Sequence, residues 1–176
     1  VYSSNFVGYA NVIFAPTPTN VLVTTPFTTG NDVISNVLAG VPGGTVVQIG
    51  DPVGGAFSTT LSFSGPANNR HWKDGGGNNQ DNYPLSAGTG YFVSVGGTSP
   101  YTNTYVGSVV ANSGASITNT FTGGVATLNG SLIPFGGSVT NVSALNLVPP
   151  GGTTIQLWDP VAQVFNAYSY SGPANN

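Results

Sequence analysis

Both basic residues and the only histidine of this 176-residue chain fall within four positions, Arg70-His71-Trp72-Lys73. Asp74 and the run Gly75-Gly76-Gly77-Asn78-Asn79-Gln80-Asp81-Asn82 follow directly. Arg70, His71, Trp72, Asp74 and Asp81 form a candidate ligand loop. An indole beside amides and carboxylates could hold a glycan by stacking and hydrogen bonding. Asp74, Asp81 and Asn82 could offer oxygens to Ca²⁺, although no EF-hand or RTX spacing is present. The plainer reading is a solvated, glycine-rich loop that carries the charge the strands avoid.

Catalytic chemistry finds little to stand on. One His with an Asp three positions away is not a triad, and no Gly-x-Ser-x-Gly elbow stands between a strand and a helix. Glu is absent, and the five Asp are scattered, which leaves few general acids. The glycine-rich stretches lack the Lys-Ser/Thr and following helix of a phosphate loop. The expectation is no enzyme, no cofactor and no metal.

Composition narrows the class further. Two basic and five acidic side chains give a net charge of −3, so no basic patch can displace counterions from a nucleic acid. There is no cysteine, hence no disulfide framework and no thiolate chemistry. No apolar run approaches the ~18 residues of a membrane span, and Val1 opens no signal peptide. A neutral surface of Asn, Ser, Thr and Gly with almost no Lys points to an extracellular or cell-surface protein. Arg70 and Lys73 would be its only trypsin-type cleavage points.

The elements that must position these residues are strands. Val outnumbers Leu, Thr is abundant, and good helix formers are scarce. Apolar residues alternate with polar ones in Val47-Gln48-Ile49, Leu61-Ser62-Phe63 and Ile155-Gln156-Leu157. The best helical candidate, Asn31 to Leu38 before Gly40, allows one turn or two.

The chain is also an imperfect tandem repeat. Gly43-Gly44-Thr45-Val46-Val47-Gln48-Ile49-Gly50-Asp51-Pro52 returns as Gly151-Gly152-Thr153-Thr154-Ile155-Gln156-Leu157-Trp158-Asp159-Pro160, and Ser64-Gly65-Pro66-Ala67-Asn68-Asn69 returns as the final six residues. Each copy reads as one β unit with the same strand order. This predicts a first unit over 20–110, a linker over 111–124 that could hold a strand at Ser116 to Phe121, and a second, incomplete unit over 125–176. Asp51-Pro52 and Asp159-Pro160 read as turns. Asn129-Gly130-Ser131 and Asn141-Val142-Ser143 match glycosylation sequons at the frequency chance allows in so Asn- and Ser-rich a chain.

Copy one continues past its Ser-Gly-Pro-Ala-Asn-Asn segment through two strand-like runs, Gly90 to Val95 and Tyr101 to Gly107. A relic of the second stands at the other end, where Tyr2…Phe6-Val7-Gly8 has the spacing of Tyr101…Tyr105-Val106-Gly107. Residues 1–14 therefore read as a donor strand with Tyr2, Phe6, Val7, Gly8, Val12 and Phe14 as its assembly residues. A Pro/Thr spacer over 15–19 sets it apart. Three readings stay open. The strand completes the second unit of its own chain, or that of another copy, or the repeat continues past Asn176. Gly90 to Val95 has no second copy, so one donor replaces one of two strands.

The repeated Gly-Gly-Thr…Asp-Pro and Ser-Gly-Pro-Ala-Asn-Asn segments resemble secreted bacterial all-β repeat proteins. The N-terminal strand resembles the donors of strand-exchange pilus subunits, without the disulfide of the chaperone–usher class. Together they are similar to protomers of fibrils recovered from fresh water, in which an N-terminal strand completes a β-barrel in another protomer. The resemblance implies an all-β chain of two small tandem β-barrels or sandwiches, the second completed by the donor. It further implies a structural subunit of an extracellular filament, a homo-oligomer built of copies of itself. The rival expectation is a secreted glycan- or surface-binding β module using the 70–82 loop.

Overall fold

The computed structural model describes residues 7–51, 57–109, 123–128 and 149–171. The chain is all-β, with a single helical turn among the described residues, and it divides into two compact units, Val1–Ile133 and Pro134–Asn176. Among the described residues no helix is long and apolar enough to cross a membrane.

In the first unit, β2 (Val21–Thr24), β3 (Val46–Ile49), β4 (Thr59–Ser64), β5 (His71–Lys73) and β6 (Gly90–Ser94) form an antiparallel sheet in the order β2-β6-β3-β4-β5. Strand β6, which lies between β2 and β3, is the run without a second copy, and all five of its residues are buried. A second sheet pairs β1 (Val7–Phe14) with β7 (Tyr101–Ser108). Helix α1 is the single turn Ile34–Val37, as the short Asn31 to Leu38 pattern allows.

These pieces share one core containing Phe14, Ile34, Leu38, Val47, Leu61, Trp72, Tyr91 and Val93. The two sheets are stitched by the Tyr91 and Tyr105 hydroxyls, 2.7 Å apart. Asn103 Nδ2 donates to the Val37 carbonyl at 3.2 Å, fixing β7 on α1. Burial pushes the Tyr91 hydroxyl well above its ordinary pKa, and Tyr105 up to about 12. Gly107 is set by a close approach, since a Cβ there would lie 2.5 Å from the Thr28 carbonyl oxygen. That approach lets Ser108 and Thr28 exchange backbone hydrogen bonds of 2.8 and 3.0 Å.

The N-terminal strand departs from expectation. Val7–Phe14 does not lie on the second unit but on β7 of the first, with Gly8 opposite Gly107 and Phe14 opposite Tyr101. The reason is its alternation. Gly8, Ala10, Val12 and Phe14 face inward, ending on a fully buried Phe14, while Val7, Tyr9 and Ile13 stand outward. The spacer is pinned as well. Thr17 N–H donates to the Val95 carbonyl and Val95 N–H to the Ala15 carbonyl, both at 3.1 Å. Residues 15–19 are thus a docked crossing rather than a hinge.

The boundary between units also falls later than the predicted 111–124 linker. Leu128 belongs to the first unit because it packs over Gly50 and Gly90, where its side chain takes the space a Cβ would need. The strand expected at Ser116 to Phe121 lies outside the described residues. In the second unit, β8 (Thr154–Asp159) and β9 (Val164–Ser169) form an antiparallel hairpin. Among the described residues no sheet closes into a barrel.

Candidate functional site

The sequence repeat is a repeat of one hairpin in one register. In copy one Val46 faces Ser62, Val47 faces Leu61 and Gln48 faces Thr60. In copy two Thr154 faces Ser169, Ile155 faces Tyr168 and Gln156 faces Ala167. The entry turn is reproduced down to its bonds. Gly44 N–H donates to the Phe63 carbonyl at 2.8 Å, and Gly152 N–H to the Tyr170 carbonyl at 2.9 Å. The Thr45 and Thr153 hydroxyls donate to Pro42 and Pro150 at 2.7 and 2.8 Å. Both glycines sit at φ +87°, a left-handed conformation that favours a residue without Cβ. The Asp159-Pro160 turn forms as expected, with the Asp159 carboxylate accepting from the Val161 and Ala162 amides at 2.9 and 3.0 Å. Those amides hold its pKa below the ordinary carboxylate range.

What flanks the two hairpins differs. On its far edge β3 carries β6, with Gln48 opposite Phe92. Among the described residues β8 carries β9 alone. Tyr170 N–H donates to the Thr153 carbonyl at 2.8 Å. Alternation then turns the amides of Ile155 and Leu157 toward β9, and those of Thr154 and Gln156 toward the opposite edge. The apolar side chains tell the same story. Ile49 is 4% exposed and its counterpart Leu157 49%; Leu61 is 1% exposed and its counterpart Tyr168 55%. Among the described residues, the second hairpin has the pattern of a covered strand pair without the covering that its twin has.

The polar loop is organised differently from the expectation. Trp72 is only 1% exposed, its ring packed 5.2 Å from that of Phe63 in the core. It therefore offers no stacking platform to a glycan, because alternation on β5 turns position 72 inward. His71 and Lys73 face outward. The Asp81 carboxylate takes His71 Nδ1 at 2.6 Å and the Trp72 amide at 2.8 Å, while His71 Nε2 meets Asn69 Oδ1 at 2.9 Å. Burial alone would raise the pKa of Asp81, but the bonds from His71, Trp72 and Asn79 outweigh it and hold the group below its ordinary value. Asp74 accepts from the Asn78 side chain and amide, from Gln80 and from Gly76, which likewise lower it. The two carboxylates thus fold their own loop, and among the described residues no three His, Cys, Asp or Glu side chains gather as a metal site. Arg70 lies outside this network with its guanidinium against Gly43.

Of the assembly residues, Val7, Gly8, Val12 and Phe14 lie on β1, and Tyr2 and Phe6 fall outside the described residues. So do Asn129, Asn141 and the final Gly172 to Asn176. The edge positions Thr154 and Gln156 were legible only through the repeat, once copy one revealed which strand belongs beside them. No family model, no curated protein and no solved structure matches this chain.

Proposed function

We propose that the chain is a structural subunit of an extracellular filament, joined to its neighbour when an N-terminal segment adds to β8 of another copy. The edge of β8 carries the proposal. Its twin β3 holds an antiparallel strand there, whereas among the described residues β8 has none, and it presents the Thr154 and Gln156 amides and half-exposed Leu157. An isolated two-stranded hairpin is marginally stable in water, and an open edge is a template for pairing. Backbone bonds along such an edge give affinity, and alternate side chains set register. A head-to-tail contact of this kind propagates as a filament unless it closes into a ring.

Because β1 is held in its own unit, the donated part is the stretch before it. In an extended strand Tyr2 and Phe6 would share one face with Ser4 between them, and six extended residues reach about 20 Å. The near-absence of charge suits a surface that packs against copies of itself. Negative-stain microscopy of the full chain and of a chain lacking residues 1–6 tests the reading. The full chain is expected to form long uniform filaments, and the shortened one to stay dispersed with an unchanged melting temperature. Filaments from the shortened chain, or none from the full chain, would refute donation by this segment.

A further inference from the structure

The outer face of β4 and β5 bears a cleft of about 540 Å³ that plays no part in strand addition. Leu61 and Trp72 point into the core, so Thr60, Ser62 and Lys73 stand outward, with Ser62 opposite Lys73 in the register. Gln80 and Tyr83 close the cleft on the loop side. We infer that this cleft binds an acidic oligosaccharide, with Lys73 receiving a sugar carboxylate.

Three observations lead there. The first is charge. Lys73 is the chain's only lysine, and the sole ion pair among the described residues joins His71 to Asp81. Asp74 also borders the cleft, but its oxygens are taken by Gly76, Asn78 and Gln80. Those bonds aim the Asp74 oxygens at its own loop, and the Lys73 ammonium, with no ion pair among the described residues, is the group in the cleft placed to meet an anion. The second is the hydroxyl row. Among the described residues the Thr60 and Ser62 hydroxyls make no hydrogen bond, and a hydroxyl both donates and accepts, which matches the vicinal hydroxyls of a sugar. The third is form. The volume lies in the range of small-ligand sites, about 300–1,000 Å³, and the half-buried Tyr83, whose hydroxyl donates to Thr59 Oγ1 at 3.4 Å, supplies a wall for a sugar's C–H face. A single cation recruits one carboxylate and is far short of the phosphate contacts on which a nucleic acid is held.

The test is calorimetric titration of the full chain with trigalacturonate, maltotriose and triglutamate. Trigalacturonate should bind, with maltotriose and triglutamate at least tenfold weaker. Lys73→Ala should weaken trigalacturonate by about tenfold or more, the scale of a charge-assisted hydrogen bond, while Lys73→Arg retains most of the affinity. Lys73 is outside the core, so both variants should melt as the parent does. The assignment is overturned if trigalacturonate does not bind, if either control binds as tightly, or if Lys73→Ala binds like the parent. Filament formation is scored separately, and its loss or survival leaves this result unchanged.

Discussion

Gln48→Pro and Gln156→Pro make the same change at matching positions of two hairpins, and the structure assigns them different costs. The Gln48 amide points at β6, opposite Phe92, in the middle of a five-stranded sheet. Proline removes that amide and leaves a facing carbonyl in a wholly buried strand without its ladder partner. A backbone bond is worth about 1 kcal/mol net, and a stranded buried partner costs a further ~1–3 kcal/mol. The expected loss is therefore about 2–4 kcal/mol, a large share of the ~5–15 kcal/mol that holds a domain. The Gln156 amide points away from β9, toward the edge with no strand among the described residues. Its replacement should cost no more than ~0.5 kcal/mol, the usual range for surface changes. Urea unfolding followed by Trp72 in a Trp158→Phe background reads the first unit, since each unit holds one of the two tryptophans. Amide exchange at Ile155 and Leu157 reads the second hairpin. Filament assembly should fail in Gln156→Pro although its hairpin persists. Equal destabilisation by the two prolines, or loss of protection at Ile155 in Gln156→Pro, would mean that the far edge of β8 is already covered within the chain.

Phe14→Ala should destabilise the first unit by about 3–5 kcal/mol, because Phe14 is fully buried there, and the loss should not change with protein concentration. A concentration-dependent loss would place β1 in a neighbouring molecule instead. Stability should also fall at both ends of the pH scale. Asp32 is subject to burial that raises its pKa, but the Thr28 hydroxyl and the Thr29 amide and hydroxyl overcome it and lower the group below 3.8. Asp81 is lowered in the same way. A depressed carboxylate stabilises above its ordinary value and loses that contribution as pH falls through the folded one, so urea midpoints should drop below about pH 4. Tyr91 and Tyr105 are raised, so their contribution is intact below pH 10.0 and declines as pH climbs toward about 12. Phenolate absorbance should appear for these two only as the chain unfolds.

Much of this architecture was legible from residue order alone. Period-two alternation located β3, β4, β8 and β9, and the Gly-Gly-Thr and Asp-Pro signals placed their turns, because these depend on local backbone rules. The inward turn of Trp72 was contained in the alternation with Lys73, yet a cluster of polar neighbours suggested an exposed ring. The partner of β1 was not legible. Its likeness to Tyr101 to Gly107 suggests a substitute for that strand, whereas the two strands pair, and nothing local distinguishes a strand's substitute from its neighbour. The same holds for Leu128, whose placement depends on two glycines, Gly50 and Gly90, that lie far from it in sequence. The cleft on β4 and β5 arises from side chains on three separate segments, so it exists only once the sheet is assembled.

The place of β6 between β2 and β3 has a consequence for the order of events during folding. Strands β3 and β4 can form their hairpin as soon as Ser64 is available, but the far edge of β3 stays bare until Gly90 to Ser94 arrives, and β1 waits for Ser108. Closing such distant pairs is slow compared with making a local hairpin. During that interval the first unit displays the same edge, in the same register, that β8 shows among the described residues. Under the strand-addition proposal, a newly made chain would transiently be a double acceptor, open to capture at the wrong hairpin by a neighbour's N-terminus. Orderly growth would then require that β6 dock faster than copies meet, which would make local chain concentration during synthesis the quantity that separates a filament from a tangle.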